Sequence, residues 1–240
     1  VTAFDFVAQY AFSKHFLPLE KRRRWWQNQV PEGPLKAYYK TPFPAPRATS
    51  GTVDYLALDF ETTGLKPGKD EILSIGFVGM RGHALSLAEN RHYLVRPSVA
   101  IPESSAVIHG ILDDKARAAV DLDEALPPLL RALAGRVMVA HHAHIEYLFL
   151  DRACRKVYGY PFIGPVVDTL ALERRGLDNN VPVKAGSLRL ANLRERYGLP
   201  RYRAHNALID AISAAELLLA QIAHRAGKQN PQLKDLMVTM

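Results

Sequence analysis

The stretch from Val53 to Gly64 constrains this chain most. Val53 to Phe60 alternates and is rich in β-formers, which predicts a strand. It runs into Asp59-Phe60-Glu61 and then Thr62-Thr63-Gly64, a turn sequence reinforced by Pro67-Gly68. Residues two apart on a strand share a face, so Asp59 and Glu61 project together, with Cα atoms roughly 7 Å apart. Two carboxylates on one face repel each other unless a cation lies between them. Oxygen donors in that pattern suit Mg²⁺ or Mn²⁺. A lone D-x-E is often only a solvated strand end; the apolar strand before this one and the turn after it set it apart.

Further strands are predicted at Ile72 to Met80, His92 to Val95, Val137 to Ala140 and Val166 to Leu170. Helical spacing marks Leu122 to Leu133, where Pro127-Pro128 is expected to set off a short first turn. It also marks His144 to Tyr158, Ser187 to Tyr197 and Asn206 to His224. Three strands followed by strands alternating with helices predict an α/β sheet of mixed direction with helices packed on it.

Ahead of this block, Thr41 to Gly51 is rich in Pro, Thr, Ser and Gly and reads as a linker. The expected division is a basic extension with its linker at 1–50, a main domain at 51–226 and a tail at 227–240. In the extension, Phe4, Val7, Tyr10, Ala11 and Phe12 fall near helical spacing. Lys21-Arg22-Arg23-Arg24-Trp25-Trp26 then offers two readings. The cations and indoles contact nucleic acid, or the Trp pair packs the extension on the main domain while the arginines face water. The second is favoured, because buried Trp is the commoner use.

Charge is uneven. Of a net +7, residues 1–50 carry eight Lys and Arg against three acids, and the remainder 23 against 21. Attraction to a polyanion and a merely solubilising surface both account for this. Cys154 is the single cysteine, so no internal disulfide forms and nothing requires an oxidising compartment. No apolar run of about 18 residues is present, and Val1 to Phe12 lacks a basic signal-type start. A cytoplasmic location without membrane contact is the expectation.

Two more segments carry chemistry. In His141-His142-Ala143-His144-Ile145-Glu146 a strand passes into a helix, which puts Glu146 in the helix's first turn. A Glu there also suits the helix dipole with no further role. The three histidines do not make a good zinc site, since adjacent histidines rarely aim at one metal and no cysteine is near. In His205-Asn206-Ala207-Leu208-Ile209-Asp210, Asn206 is a good N-cap. That leaves His205 in a loop, free to act as a general base, and Asp210 on the helix's second turn.

Taken together and in this order, the three segments resemble the DEDDh, or DnaQ-like, exonucleases, a family that includes the proofreading epsilon subunit of bacterial DNA polymerase III. The resemblance covers about Val53 to His224. Lesser marks are Ile108-His109-Gly110-Ile111, Val167-Asp168-Thr169-Leu170 and Leu193 to Gly198. The resemblance implies a ribonuclease-H-like α/β fold with a five-stranded mixed sheet flanked by helices. It implies two divalent ions, Mg²⁺ or Mn²⁺, held by Asp59, Glu61, Glu146 and Asp210. His205 would be the general base. Thr62, Thr63 and Leu65, with His109, would line the terminal-nucleotide pocket. The implied activity is 3′–5′ hydrolysis of nucleic acid to nucleoside 5′-monophosphates. The substrates would be single-stranded 3′ ends, DNA before RNA, and a polymerase or other protein could dock through residues 1–50. One position departs from the family pattern. Glu146 stands where the second motif normally has Asp, and the added methylene moves the carboxylate roughly 1–1.5 Å. That change could shift metal preference toward Mn²⁺ or leave a catalytically impaired binding module. Asp151, the other nearby carboxylate, faces a different side of the helix.

Overall fold

The structure, a computed structural model, describes residues 17–98, 119–177, 182–203, 205–225 and 230–240. The helical pattern of Phe4 to Phe12 and the pocket residue His109 lie outside the described residues. The strands are β1 (Asp54–Thr62), β2 (Ile72–Arg81), β3 (Ala84–Leu94), β4 (Val137–Ala140), β5 (Val166–Asp168) and β6 (Met237–Val238). They form one sheet in the order β3-β2-β1-β4-β5-β6. β1 pairs antiparallel with β2 and parallel with β4, so the sheet is mixed, as expected. It has six strands where five were expected. The extra one is two residues long, too short to carry an alternating pattern, and becomes a strand by pairing with Val166 and Val167 of β5.

The helices are α1 (Leu19–Gln29), α2 (Pro34–Lys40), α3 (Leu122–Leu133), α4 (His144–Tyr158), α5 (Thr169–Arg175), α6 (Leu190–Arg196), α7 (Ala207–Arg225) and α8 (Leu233–Leu236). Alternation along β1 sorts the core into two layers. Leu56, Leu58 and Phe60 join α3, α4 and the first two helices on one face. Tyr55 and Ala57 join Ala215, Leu218 and Ile222 of α7 on the other. Asp59 and Glu61 belong to this second series, so they lie on the α7 side. By length and mean hydropathy α7 could cross a membrane, but half of it is buried within this fold, as for a core helix.

α3 is continuous through Pro127 and Pro128, where a separate first turn was expected. Each proline removes a bond to the carbonyl four residues back, here Asp123 and Glu124, which are exposed to water. Burial of Ala125, Leu126, Leu129, Leu130 and Leu133 holds the helix regardless; each fully buried Leu contributes about 1.5–3 kcal/mol.

Residues 17–50 share the main core. Trp26 is buried, in edge contact with Tyr160, and Trp25 packs beside it. Tyr39 donates to the Pro161 carbonyl at 2.7 Å and Tyr38 to the Ile163 carbonyl at 3.0 Å. The packing reading of the Trp pair therefore holds, with one correction: the arginines do not all face water. Arg24 does, but Arg23 is buried, bonded to Glu20, to Gln27 and to the Tyr39 carbonyl. A helix turns one residue in every run of four inward, and the fork of Arg23 finds a carbonyl supplied by α2. The stretches at 46–50 and 231–234 bond to each other, Ser50 to the Pro231 carbonyl and Leu233 to the Ala48 carbonyl, both at 2.9 Å. Trp26→Ala is expected to lower the unfolding free energy by about 3–5 kcal/mol, read as an earlier urea midpoint; an unchanged midpoint would contradict this packing.

Candidate active site

The site is built where β1 ends under the start of α7. Asn206 caps that helix, its Oδ1 accepting from Ile209 N at 3.1 Å. This cap sets the first turn and with it Asp210, which faces Asp59 and Glu61. One carboxylate oxygen of each of these three residues lies within 4.8 Å of the other two. Glu61 is buried and the other two are half-buried. Desolvation, then the charges of Glu146, Asp210 and Glu61, push the Asp59 carboxyl well above the usual carboxylate range. Asp210 is raised as well, by burial first and by Glu61.

Glu146 completes the set from another direction. It lies in the first turn of α4 and is buried, 6% exposed. Burial pushes its carboxyl up to about 8, with Asp168 and Glu61 adding to the rise. Its Oε2 has no hydrogen-bond partner among the described residues. A buried carboxylate oxygen without a donor is costly, by about 1–3 kcal/mol or more, unless a cation takes the donor's place. Glu146 is not part of the mutual 4.8 Å group, yet its charge is the strongest felt by Asp59. The four carboxylates therefore fit divalent cations better than they fit one another.

His205 is exposed and has a left-handed backbone, φ 66°. That conformation is uncommon for a residue with a side chain and costs on the order of 1 kcal/mol or more. It is held because the His205 N–H donates to Asp210 Oδ2 at 2.9 Å, just ahead of the Asn206 cap. The loop histidine is thus tied through its backbone to a carboxylate of the cluster while remaining exposed.

The other residues named from sequence divide. Thr62 and Thr63 are buried, and their hydroxyls brace the following loop. Thr62 Oγ1 donates to the Gly64 carbonyl at 2.7 Å, and Thr63 Oγ1 bonds Asp70 and accepts from Glu71 N. Leu65 stands 73% exposed on that loop. Of the histidines, His141 uses Nδ1 with Thr169 Oγ1 and Nε2 with the Leu188 carbonyl. Both ring nitrogens are committed, which leaves none for zinc. Asp151 is bound to Arg155 and to Phe162 N, so it belongs to the framework.

Asp168 was quoted from sequence without a role. It is buried, and its Oδ1 accepts from His142 N, Leu170 N and Ala171 N at 3.0, 2.9 and 3.2 Å. One side chain thus starts α5 and pins the 141–143 turn from which α4, and Glu146, depart. The signal available was an Asp closing an apolar strand just before a helix, the usual position of an N-cap.

Residues 56–218 match the family profile of the RNase T exonucleases. The chain belongs to that family. RNase T family members depend on divalent metal, in keeping with the acidic cluster. The chain is 37% identical over 172 residues to the PolC-type DNA polymerase III of Thermotoga maritima, covering 72% of this chain but 12% of that protein. It is 34% identical over 181 residues to the epsilon subunit of DNA polymerase III of Treponema pallidum, covering 74% and 80%. It thus spans about an eighth of the PolC-type relatives and most of the epsilon subunit. In fold it resembles exonuclease I from Methylocaldum szegediense, with TM-score 0.61, 18% identity, and 73% and 41% of the two chains covered. It also resembles an exonuclease X solved with 5′-overhanging duplex DNA, with TM-score 0.54, 22% identity, and 77% and 98% covered. The ribonuclease-H-like fold, the family and the nuclease class expected from sequence are all borne out.

Proposed function

We propose that this RNase T family exonuclease removes nucleotides from the 3′ end of DNA with two Mg²⁺ or Mn²⁺ ions, His205 acting as general base. The observation that carries the reading is the convergence of Asp59, Glu61 and Asp210 within 4.8 Å, beside the buried, donorless oxygen of Glu146. All four side chains present hard oxygen donors, which Mg²⁺ and Mn²⁺ prefer. Asp59 feels the charges of Glu146, Asp210 and Glu61 alike and would be shared between the ions. When bound, such ions supply positive charge at the attacking and leaving oxygens of an in-line displacement. The chain's own groups do the rest. His205, exposed beside the cluster and fixed through Asp210, takes the proton of the attacking water. The 62–71 loop, braced by Thr62 and Thr63, holds Leu65 out where a terminal base would lie. DNA is placed before RNA because the relatives carry DNA polymerase names. The same names support a proposal that a polymerase is engaged through residues 1–50.

Digestion of 5′-labelled single-stranded DNA and RNA with Mg²⁺, Mn²⁺ or EDTA tests the reading. The expected result is a ladder shortening from the 3′ end of DNA, abolished by EDTA. A ladder that persists in EDTA would overturn it, and faster cutting of RNA would overturn the DNA assignment. Glu146→Asp draws the carboxylate back by roughly 1–1.5 Å. Since Mg²⁺ demands near-ideal octahedral geometry, activity with Mg²⁺ should fall several-fold more than activity with Mn²⁺. Equal rates for parent and variant with both ions would remove Glu146 from the ligand set.

A further inference from the structure

A cavity of about 270 Å³ opens between the 66–72 loop and α4. Ile72, Val95 and Phe149 supply apolar lining, and Lys69, Arg152 and Lys156 supply cations. On α4, Phe149 and Lys156 lie three and ten residues beyond Glu146, so they continue the face that Glu146 begins, with Arg152 on its flank. The opposite wall is the chain that leaves β1 after Glu61 and turns back into β2. Each wall therefore carries a carboxylate of the acidic site at one end and a cation further along.

Two acids also border the cavity, and both are committed. Asp70 accepts from Lys66 N and Thr63 Oγ1, and Glu71 binds Ser98 and Lys156. Lys69 and Arg152 are exposed and have no ion pair among the described residues. Uncommitted cations over an apolar floor match a nucleotide unit, with phosphate for the charges and base or sugar for the floor. A free inorganic anion would leave the floor unused.

We propose that this cavity receives the single-stranded polynucleotide just upstream of its 3′-terminal nucleotide, Lys69 and Arg152 contacting phosphodiester groups. The inference rests on the exonuclease reading for its polarity, but its test does not need catalysis. Anisotropy of a labelled single-stranded DNA oligomer in EDTA, at several salt concentrations, compares the full chain with the Lys69→Ala/Arg152→Ala double variant. Binding should weaken roughly tenfold, and the slope of log affinity against log salt should shrink by about 1.4, the share of two phosphate contacts. With metal added, turnover of the oligomer relative to that of thymidine 5′-(p-nitrophenyl phosphate), a single-nucleotide ester too short to reach the cavity, should fall in proportion. Thermal melting of the two proteins reports folding.

Unchanged affinity and slope would overturn the inference. So would equal losses on oligomer and ester, or a variant that melts well below the parent, since the two cations would then serve the fold or the acidic site. A parent that binds the oligomer through these residues but cuts neither substrate would overturn the exonuclease reading while leaving the binding site in place.

Discussion

Asp59→Asn should cut exonuclease activity by about a thousandfold or more and raise the melting temperature measured in EDTA. Both effects come from one geometry. Asp59 is the carboxylate that feels the charges of Glu146, Asp210 and Glu61 together, and it lies within 4.8 Å of the last two. Loss of a single preorganised electrostatic group at a reacting centre costs about 10²–10³ in rate, and a ligand shared as proposed above would serve two ions at once. Without metal the same carboxylate is desolvated and pressed by like charges, so its neutral amide counterpart relieves repulsion. Trades of this kind between activity and stability are commonly worth about 0.5–2 kcal/mol. The check is a paired measurement of oligomer digestion with Mg²⁺ and thermal melting in EDTA. A variant that cuts like the parent, or one that melts earlier in EDTA, would show that the cluster is not built to hold cations.

Gly76→Ala is the second large effect expected, although Gly76 carries no functional group. Gly76 pairs with Asp59 across β1 and β2 and lies on the same face of the sheet. A Cβ there would stand 2.1 Å from the Ala207 carbonyl carbon and from Leu208 N. These are backbone atoms of the first turn of α7, so no rotamer change relieves the clash; the helix start has to move. Asp210 rides on that turn and holds His205 through its backbone N–H. Misplacement of catalytic groups by about 1 Å can cost 10²-fold, and overpacking of this kind costs about 1–3 kcal/mol. The expected signature is a kcat lowered about a hundredfold together with a higher metal concentration for half-maximal rate, because Asp210 retreats from the cluster. Gly51→Ala, whose Cβ would meet nothing closer than 3.4 Å, is the control and should change neither quantity. Loss of stability with kcat and metal requirement intact would mean that Gly76 serves packing alone.

Much of this site was legible along the chain because its parts are local. The period of two in β1 places Asp59 and Glu61 on one face without reference to the rest of the fold. The cap at Asn206 likewise puts Asp210 near the start of α7, in the first turn where the second was expected. The departures arose where partners distant in sequence decide the outcome. The two prolines in α3 suggested a break, yet the buried stripe of the helix outweighs two missing amide bonds. Arg23 looks like its neighbours in a basic run, but α2 presents it with a carbonyl and it goes inside. Met237-Val238 is a strand because β5 is there to pair with it. Asp168 and Gly76 escaped notice for a related reason. One acts by accepting backbone N–H groups from two separate segments, the other by the space it leaves empty.

From its sequence alone, then, the chain determined the first five strands and the main helices of the α/β sheet in their order, the family, and the candidate acidic residues and histidine, since periodicity, capping and motif order are properties of neighbours in the chain. Only the tertiary structure decided that α7 settles into the notch at Gly76, and that Glu146 stands buried with its Oε2 lacking a donor among the described residues. Those depend on how closely backbones approach and which charges lose water, and both are settled when the sheet and its helices pack.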